Sequence, residues 1–228
     1  AKPKRNNIDP AVPAALVAVS LRAGRPHWIP GSIAGTCCAT PWVSKGYRRG
    51  AAWMAERTVA DLWRWSEEGR LPVVIDATSC TLGLREAAPL LDEPGAERLA
   101  ALRILDSTEW ALGLLADLEV GERVGAVVVH PTCSGTHLGV NDDLVALAGA
   151  LAETVVVPES AGCCGFAGDR GFLRPELTAS ATAPEAAEVA ATAGDAHLCS
   201  NRTCEIGMTR ASGRSYESFV FLLERLSR

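Results

Sequence analysis

Short apolar runs and helical stripes alternate along this chain. Pro13 to Arg22 reads as a helix with a proline near its start. Pro26 to Pro30 is a strand candidate. From Ala51 to Glu68 the positions Trp53, Val59, Leu62, Trp63 and Trp65 form a broad apolar stripe at helical spacing, which predicts a long helix with its tryptophans in the core. Leu71 to Ile75 is an all-apolar run, read as a short buried strand, with a loop after it. Residues 86–92 and 107–117 read as helices. The second half repeats the alternation: a strand at Val124–Val129, a helix at Leu144–Leu151, a strand at Thr154–Val157, and one or two helices over Pro175–Ala193 punctuated by Pro184. A strand at Ala196–Leu198 and a closing helix at Ser215–Leu226 complete it.

Short all-apolar strands separated by helices predict an α/β protein with parallel sheet. The polar, glycine-containing stretch at 118–123 places a boundary between two Rossmann-like halves, residues 1–120 and 121–228.

Composition narrows the class. The chain has 228 residues, 48% of them hydrophobic, and a net charge of −5. That is enough apolar material for a packed core. The acidic balance argues against a nucleic-acid partner, which needs a clustered basic face. The longest apolar stretch, Ala14 to Leu21, is interrupted by Ser20 and falls far short of the roughly 18 residues that span a bilayer, so no transmembrane segment is expected. The polar start has no apolar stretch of a secretory signal and no initiating Met, which predicts a fragment of a longer chain.

The chemistry lies in eight cysteines. Cys37-Cys38 and Cys163-Cys164 are vicinal pairs, a poor arrangement for disulfides between neighbours. The two pairs are 126 residues apart, and Cys80 and Cys204 are 124 apart. Each of the latter opens a Cys-x-x-Gly. This is an internal duplication. Cys133 stands 30 residues before Cys163, but the corresponding position in the first half is Asn7, so either the first half's fourth ligand was cut away with a missing segment, the favoured expectation, or that half has lost its site. Thiolates converging from several loops suit an iron–sulfur cluster or zinc. Gly162, Gly165, Gly168, Gly171 and Gly207 would let backbone N–H groups approach the sulfurs, and Arg170 and Arg202 would offset a negative cluster. Cys199 has no counterpart at Val74 and reads as a free thiol. His130, beside Cys133, reads as a hydrogen-bonding group at a strand end, whereas His27 and His197 carry no signal. Asp169-Arg170 reads as the first turn of a helix with a local ion pair. No Rossmann glycine fingerprint, P-loop or Ser-His-Asp arrangement is present. Direct thiol redox chemistry ranks last, because there is no Cys-x-x-Cys.

The stretches HPTCSGTHLG from His130, SAGCCGFAGDRGFLRPELTASAT from Ser160 and SNRTCEIGM from Ser200 resemble the cysteine-rich CCG domain. That domain occurs in the heterodisulfide reductase B subunit and the glycolate oxidase iron–sulfur subunit. The stretches are closer still to the C-terminal region of bacterial FAD-linked iron–sulfur D-lactate dehydrogenases. The resemblance implies a 4Fe-4S cluster, with Cys133, Cys163, Cys164 and Cys204 as ligands in the second half and Cys37, Cys38 and Cys80 in the first. It implies electrons from FAD in a preceding flavin domain of the same polypeptide, and a quinone or cytochrome as acceptor. It also implies a cytoplasmic location, or a peripheral one at the inner face of the membrane. Gly83 and Gly207 stand where the heterodisulfide reductase relatives have a second cysteine, which favours one simpler centre per half. Zinc in a structural or docking role is the alternative.

Overall fold

The computed structural model describes residues 11–228, so Asn7 lies outside the described residues. The chain opens with α1 (Ala11–Arg22), the short α2 (Thr40–Val43) and α3 (Arg48–Trp65). Strand β1 (Val73–Ile75) leads into α4 (Thr78–Arg85), and α5 (Glu93–Ala101) precedes β2 (Ile104–Asp106) and α6 (Ser107–Leu114). The second half runs β3 (Val124–Val129), α7 (Cys133–Leu138), α8 (Asn141–Leu151) and β4 (Ala152–Val156). It continues with α9 (Arg170–Leu173), α10 (Pro175–Ala191), β5 (Ala196–Cys199), α11 (Arg202–Ser212), β6 (Tyr216–Ser218) and α12 (Phe219–Leu226). Every strand pairing among the described residues is parallel. One sheet is β1-β2, with Val73 opposite Ile104. The other has the order β4-β3-β5-β6, with Val127 opposite both Val155 and Ala196. This is the expected Rossmann-like α/β architecture, and the cysteine motifs follow the carboxyl ends of β1, β3, β4 and β5.

Val127, Val128 and Val129 of β3 are fully buried, as suits β-branched side chains on a central strand covered on both faces. One core joins Leu16 and Val19 of α1 to Leu147 and Leu151 of α8, Val129 of β3, and Phe219 and Leu223 of α12. A second gathers Ala55, Val59 and Leu62 of α3 around Leu84, Leu99 and Ile104.

Several local expectations are corrected. Residues 26–30 form no strand: both flanking prolines lack amide donors, and Trp28 and Ile29 are exposed. The run at 71–75 is a strand only from Val73, after Pro72, and it is half-buried. Trp53 of the tryptophan stripe lies in solvent, stacked with Arg57, whereas Trp63 and Trp65 pack on the second core. Pro89 leaves only a short 3-10 turn in 86–92. The helix there starts later, at α5, where the Asp92 side chain accepts the Gly95 N–H at 2.8 Å. Pro184 does not divide α10.

Asp106 illustrates how the ends of these strands are secured. It is fully buried. It accepts the Thr108 N–H at 3.0 Å and the hydroxyls of Thr108 and Thr81, both at 2.6 Å. It caps α6 while tying that helix to α4. Asp106→Ala removes the cap, orphans the Thr108 hydroxyl and leaves the Thr81 hydroxyl only its longer contact with the Ala77 carbonyl. It should lower stability by about 2–3 kcal/mol in a denaturant titration.

Candidate metal centre

A short connection after each strand brings the cysteines to one end of the sheets. Cys133 is the first residue of α7, whose cap is Thr132, with its hydroxyl accepting the Gly135 N–H at 2.9 Å. Cys204 lies in the first turn of α11, and Cys80 in the first turn of α4. Cys80 was expected in a loop; the chain enters the helix directly from β1. Cys163 and Cys164 occupy the turn between β4 and α9.

The second-half sulfurs form a continuous string. The Sγ atoms of Cys133 and Cys163 are 3.9 Å apart, Cys163 contacts Cys164, and the Sγ atoms of Cys164 and Cys204 are 2.7 Å apart. Cys204 in turn touches Cys199. Cys133 and Cys163 are exposed; Cys164, Cys199 and Cys204 are buried. In the first half, Cys37 contacts Cys38, and Cys38 Sγ lies 2.9 Å from that of Cys80. All eight cysteines are free.

The thiols set one another's acidity. Contacts from the Cys133 thiol first, and then Cys164, pull Cys163 well below the ordinary thiol range. Cys133 and Cys164 are pushed far up by the same contacts with Cys163. Against the lowering contact with Cys164, the Cys199 thiol and burial hold Cys204 well above the ordinary range. Against the lowering contact with Cys37, Cys80 and burial push Cys38 up to about 11. Burial also raises Glu205 to about 7, opposed by Arg202 at 2.5 Å.

Polar groups supply donors to these sulfurs. The Gly165 N–H reaches Cys163 Sγ at 3.4 Å, and Asn201 Nδ2 reaches Cys204 Sγ at 3.4 Å. In the first half, Cys38 Sγ lies 3.3 Å from Thr40 Oγ1, which donates to the Ser79 carbonyl at 3.5 Å. Ser79 Oγ then donates to Asn201 Oδ1 at 2.8 Å, and Thr78 Oγ1 donates to Ser200 Oγ at 2.7 Å. The ends of β1 and β5 therefore meet, with the two sulfur groups on either side of the contact.

Only one of the glycines serves a sulfur by close N–H approach. Gly171 and Gly207 make room for Phe166: a Cβ at either would come within 2.7 Å and 3.2 Å of its ring. Phe166 is buried against Phe172, ring centroids 4.9 Å apart, and packs with Cys164, Cys204 and Met208. Asp169 and Arg170 do open α9, but the ion pair is not local. Asp169 binds Lys45 at 2.5 Å, and Arg170 donates to the Ser44 carbonyl at 2.6 Å, pinning the loop of one cysteine pair to that of the other.

The residue after each vicinal pair adopts the left-handed region, Ala39 at φ 65° and Gly165 at φ 72°. A Cβ on Gly165 would meet the Leu177 carbonyl oxygen at 2.8 Å as well as bear the backbone cost. Gly165→Ala should lower the melting temperature by several degrees, for a loss of at least about 1–2 kcal/mol, and should move the Cys163-Cys164 turn.

Residues 127–209 match the family model of the CCG cysteine-rich domain. The matched CCG segment carries Cys133, Cys163, Cys164, Cys199 and Cys204; the first-half cysteines lie before it. No curated protein matches the chain. Within the matched segment, His130, Cys199 and Cys204 each present a ligand atom within 4.8 Å of the others, all three buried. Sequence spacing pointed to neither His130 nor Cys199 as part of such a group, because neither recurs in the first half. Glu185, Phe166 and Asn201 were equally silent. They belong to the site through tertiary contact, and their spacing carries no signal. Among the described residues, no helix is long and apolar enough to cross a membrane.

Proposed function

We propose that this chain is an iron–sulfur electron-transfer module of a flavin-dependent oxidoreductase, D-lactate dehydrogenase-like in substrate class. The observation that carries the reading is the string of sulfurs from Cys133 through Cys163 and Cys164 to Cys204. Four thiols in contact at the carboxyl ends of parallel strands make a donor set suited to a 4Fe-4S cluster. In this reading residues 1–120 and 121–228 are two copies of one unit. The paired left-handed residues Ala39 and Gly165 support that, as do Asp106 and Ser218, which cap equivalent helices after β2 and β6. Cys37, Cys38 and Cys80 are the corresponding donors of the first unit.

A bound cluster supplies one-electron transfer. The chain's own residues would set its surroundings. Gly165 N–H and Asn201 Nδ2 stabilise charge on sulfur, Phe166 keeps water from the buried side, and the exposed Cys133–Cys163 edge faces a redox partner. FAD on a flavin domain of the same polypeptide would be the donor. An apolar cavity of about 640 Å³, walled by Trp28, Trp65, Trp110 and Val73, adjoins Cys37 and Cys80. Its size and lining favour a quinone over a cytochrome as acceptor, at a cytoplasmic site or at the inner membrane face. Zinc in a docking role is the second reading, favoured by the buried imidazole beside two thiols.

Anaerobic purification with iron and sulfide analysis, followed by electron paramagnetic resonance after reduction, tests both. Iron and sulfide with a reduced-state signal, reoxidised by a soluble quinone, is the expected result. Stoichiometric zinc with no visible absorbance would replace it with the second reading, and neither metal after reconstitution would defeat both.

A further inference from the structure

We propose that His130, through Nε2, and Cys199 join Cys204 as donors to the metal centre of the second half, with Glu185 as the carboxylate that fixes the imidazole. The inference rests on the reading that this sulfur group binds metal, and it changes which residues do so.

His130 directly follows the last residue of β3 and is fully buried. Its Nδ1 lies 2.7 Å and 2.9 Å from the two carboxylate oxygens of Glu185, itself 2% exposed. A carboxylate only accepts, so Nδ1 carries a proton, and in the neutral imidazole Nε2 is then the nitrogen with the lone pair. That lone pair has no partner: Nε2 is a buried nitrogen without a hydrogen bond. Leaving such an atom unsatisfied is costly, and native structures rarely do it without reason. The Cys199 and Cys204 sulfurs lie within 4.8 Å of a ring nitrogen of His130 and of each other, and with Nδ1 engaged by Glu185 it is Nε2 that is left for them. A histidine whose far nitrogen is held by a carboxylate and whose near nitrogen faces soft donors has the usual construction of a metal-ligating imidazole.

The surrounding contacts hold this arrangement rigid. Glu185 Oε2 also accepts the Gly162 N–H at 3.4 Å, which ties α10 to the residue before the cysteine pair. The Tyr216 ring stands edge-on to His130 at 6.4 Å. Cys164 Sγ, 2.7 Å from that of Cys204, is placed to complete the set on the buried side. The result is a nitrogen-and-sulfur set of the kind that takes a tetrahedral divalent ion. The exposed Cys133 and Cys163 lie at the outer end of the string.

Cobalt(II) is the probe, added anaerobically to a chain carrying Cys38→Ser and Cys80→Ser so that the first group offers no close thiol pair. Thiolate-to-cobalt absorption is expected on binding. His130→Ala and Cys199→Ser should each weaken binding at least about tenfold and shift the ligand-field bands. Glu185→Gln should weaken it by about 10–100-fold with the bands in place. Circular dichroism of each apo variant establishes that it folds. X-ray absorption at the zinc edge, on the same background with one equivalent of zinc, needs no change in the second half and should show imidazole scattering. A sulfur-only shell, or cobalt binding lost in Cys133→Ser and Cys163→Ser but retained in Cys199→Ser and His130→Ala, overturns the proposal. So does the absence of any thiolate band. The iron and sulfide analysis decides the electron-transfer reading separately, so either reading can fail while the other stands.

Discussion

Cys204→Ser should abolish the centre of the second half. Cys204 is 1% exposed, lies in the first turn of α11, and its sulfur touches those of both Cys164 and Cys199. It is thus the junction between the outer string and the buried imidazole. A serine hydroxyl is a poor ligand for soft metals and cannot replace the sulfur. After anaerobic reconstitution, the variant should hold no second-half metal and lose the visible sulfur-to-metal absorption. Cys80→Ser, the equivalent change in the first half, should leave that absorption in place. Equal metal content in wild type and Cys204→Ser would contradict the assignment.

Phe166→Ala should be the most damaging substitution outside the cysteines. The side chain is 1% exposed and fills the space left by Gly171 and Gly207. Truncating a fully buried phenylalanine costs about 3–5 kcal/mol, because neighbours collapse only partly into the hole. Here the hole would open beside Cys164 and Cys204, so water would reach the buried sulfurs. A chain of this size loses roughly 2–4 °C of melting temperature per kcal/mol, so the transition should fall by on the order of 10 °C. Refilling the space with Phe166→Leu should recover much of that loss.

How much of this was readable in the sequence follows from which forces act locally. Strand β3 was legible because VGAVVV has no polar residue and closes on three β-branched valines, the ones buried on the central strand. The doubled cysteine spacing was legible because duplication leaves its mark in residue intervals. Strands β2 and β6 were not: each has three residues, two of them buried, and takes its conformation from a neighbouring strand. The false strand at 26–30 failed because two prolines remove the donors that pairing needs. At the site, the vicinal pairs announced themselves. Glu185 and Phe166 did not, since α10 shows no face-specific pattern at 185 and the two glycines around Phe166 come to it only in folded space. The glycines were noticed for the wrong reason: Gly171 and Gly207 admit a ring, and only Gly165 offers its N–H to a sulfur.

The contact between the ends of β1 and β5 has a consequence for redox titration. From Cys38 the line runs through Thr40, Ser79 and Asn201 to Cys204 without a gap longer than 3.5 Å. Were both sulfur groups to hold redox centres, as proposed above, an electron at one would polarise each link in turn and raise the cost of a second at the other. The midpoints of such a pair would describe the ensemble and neither member alone, and removing the link at Asn201 would change their separation.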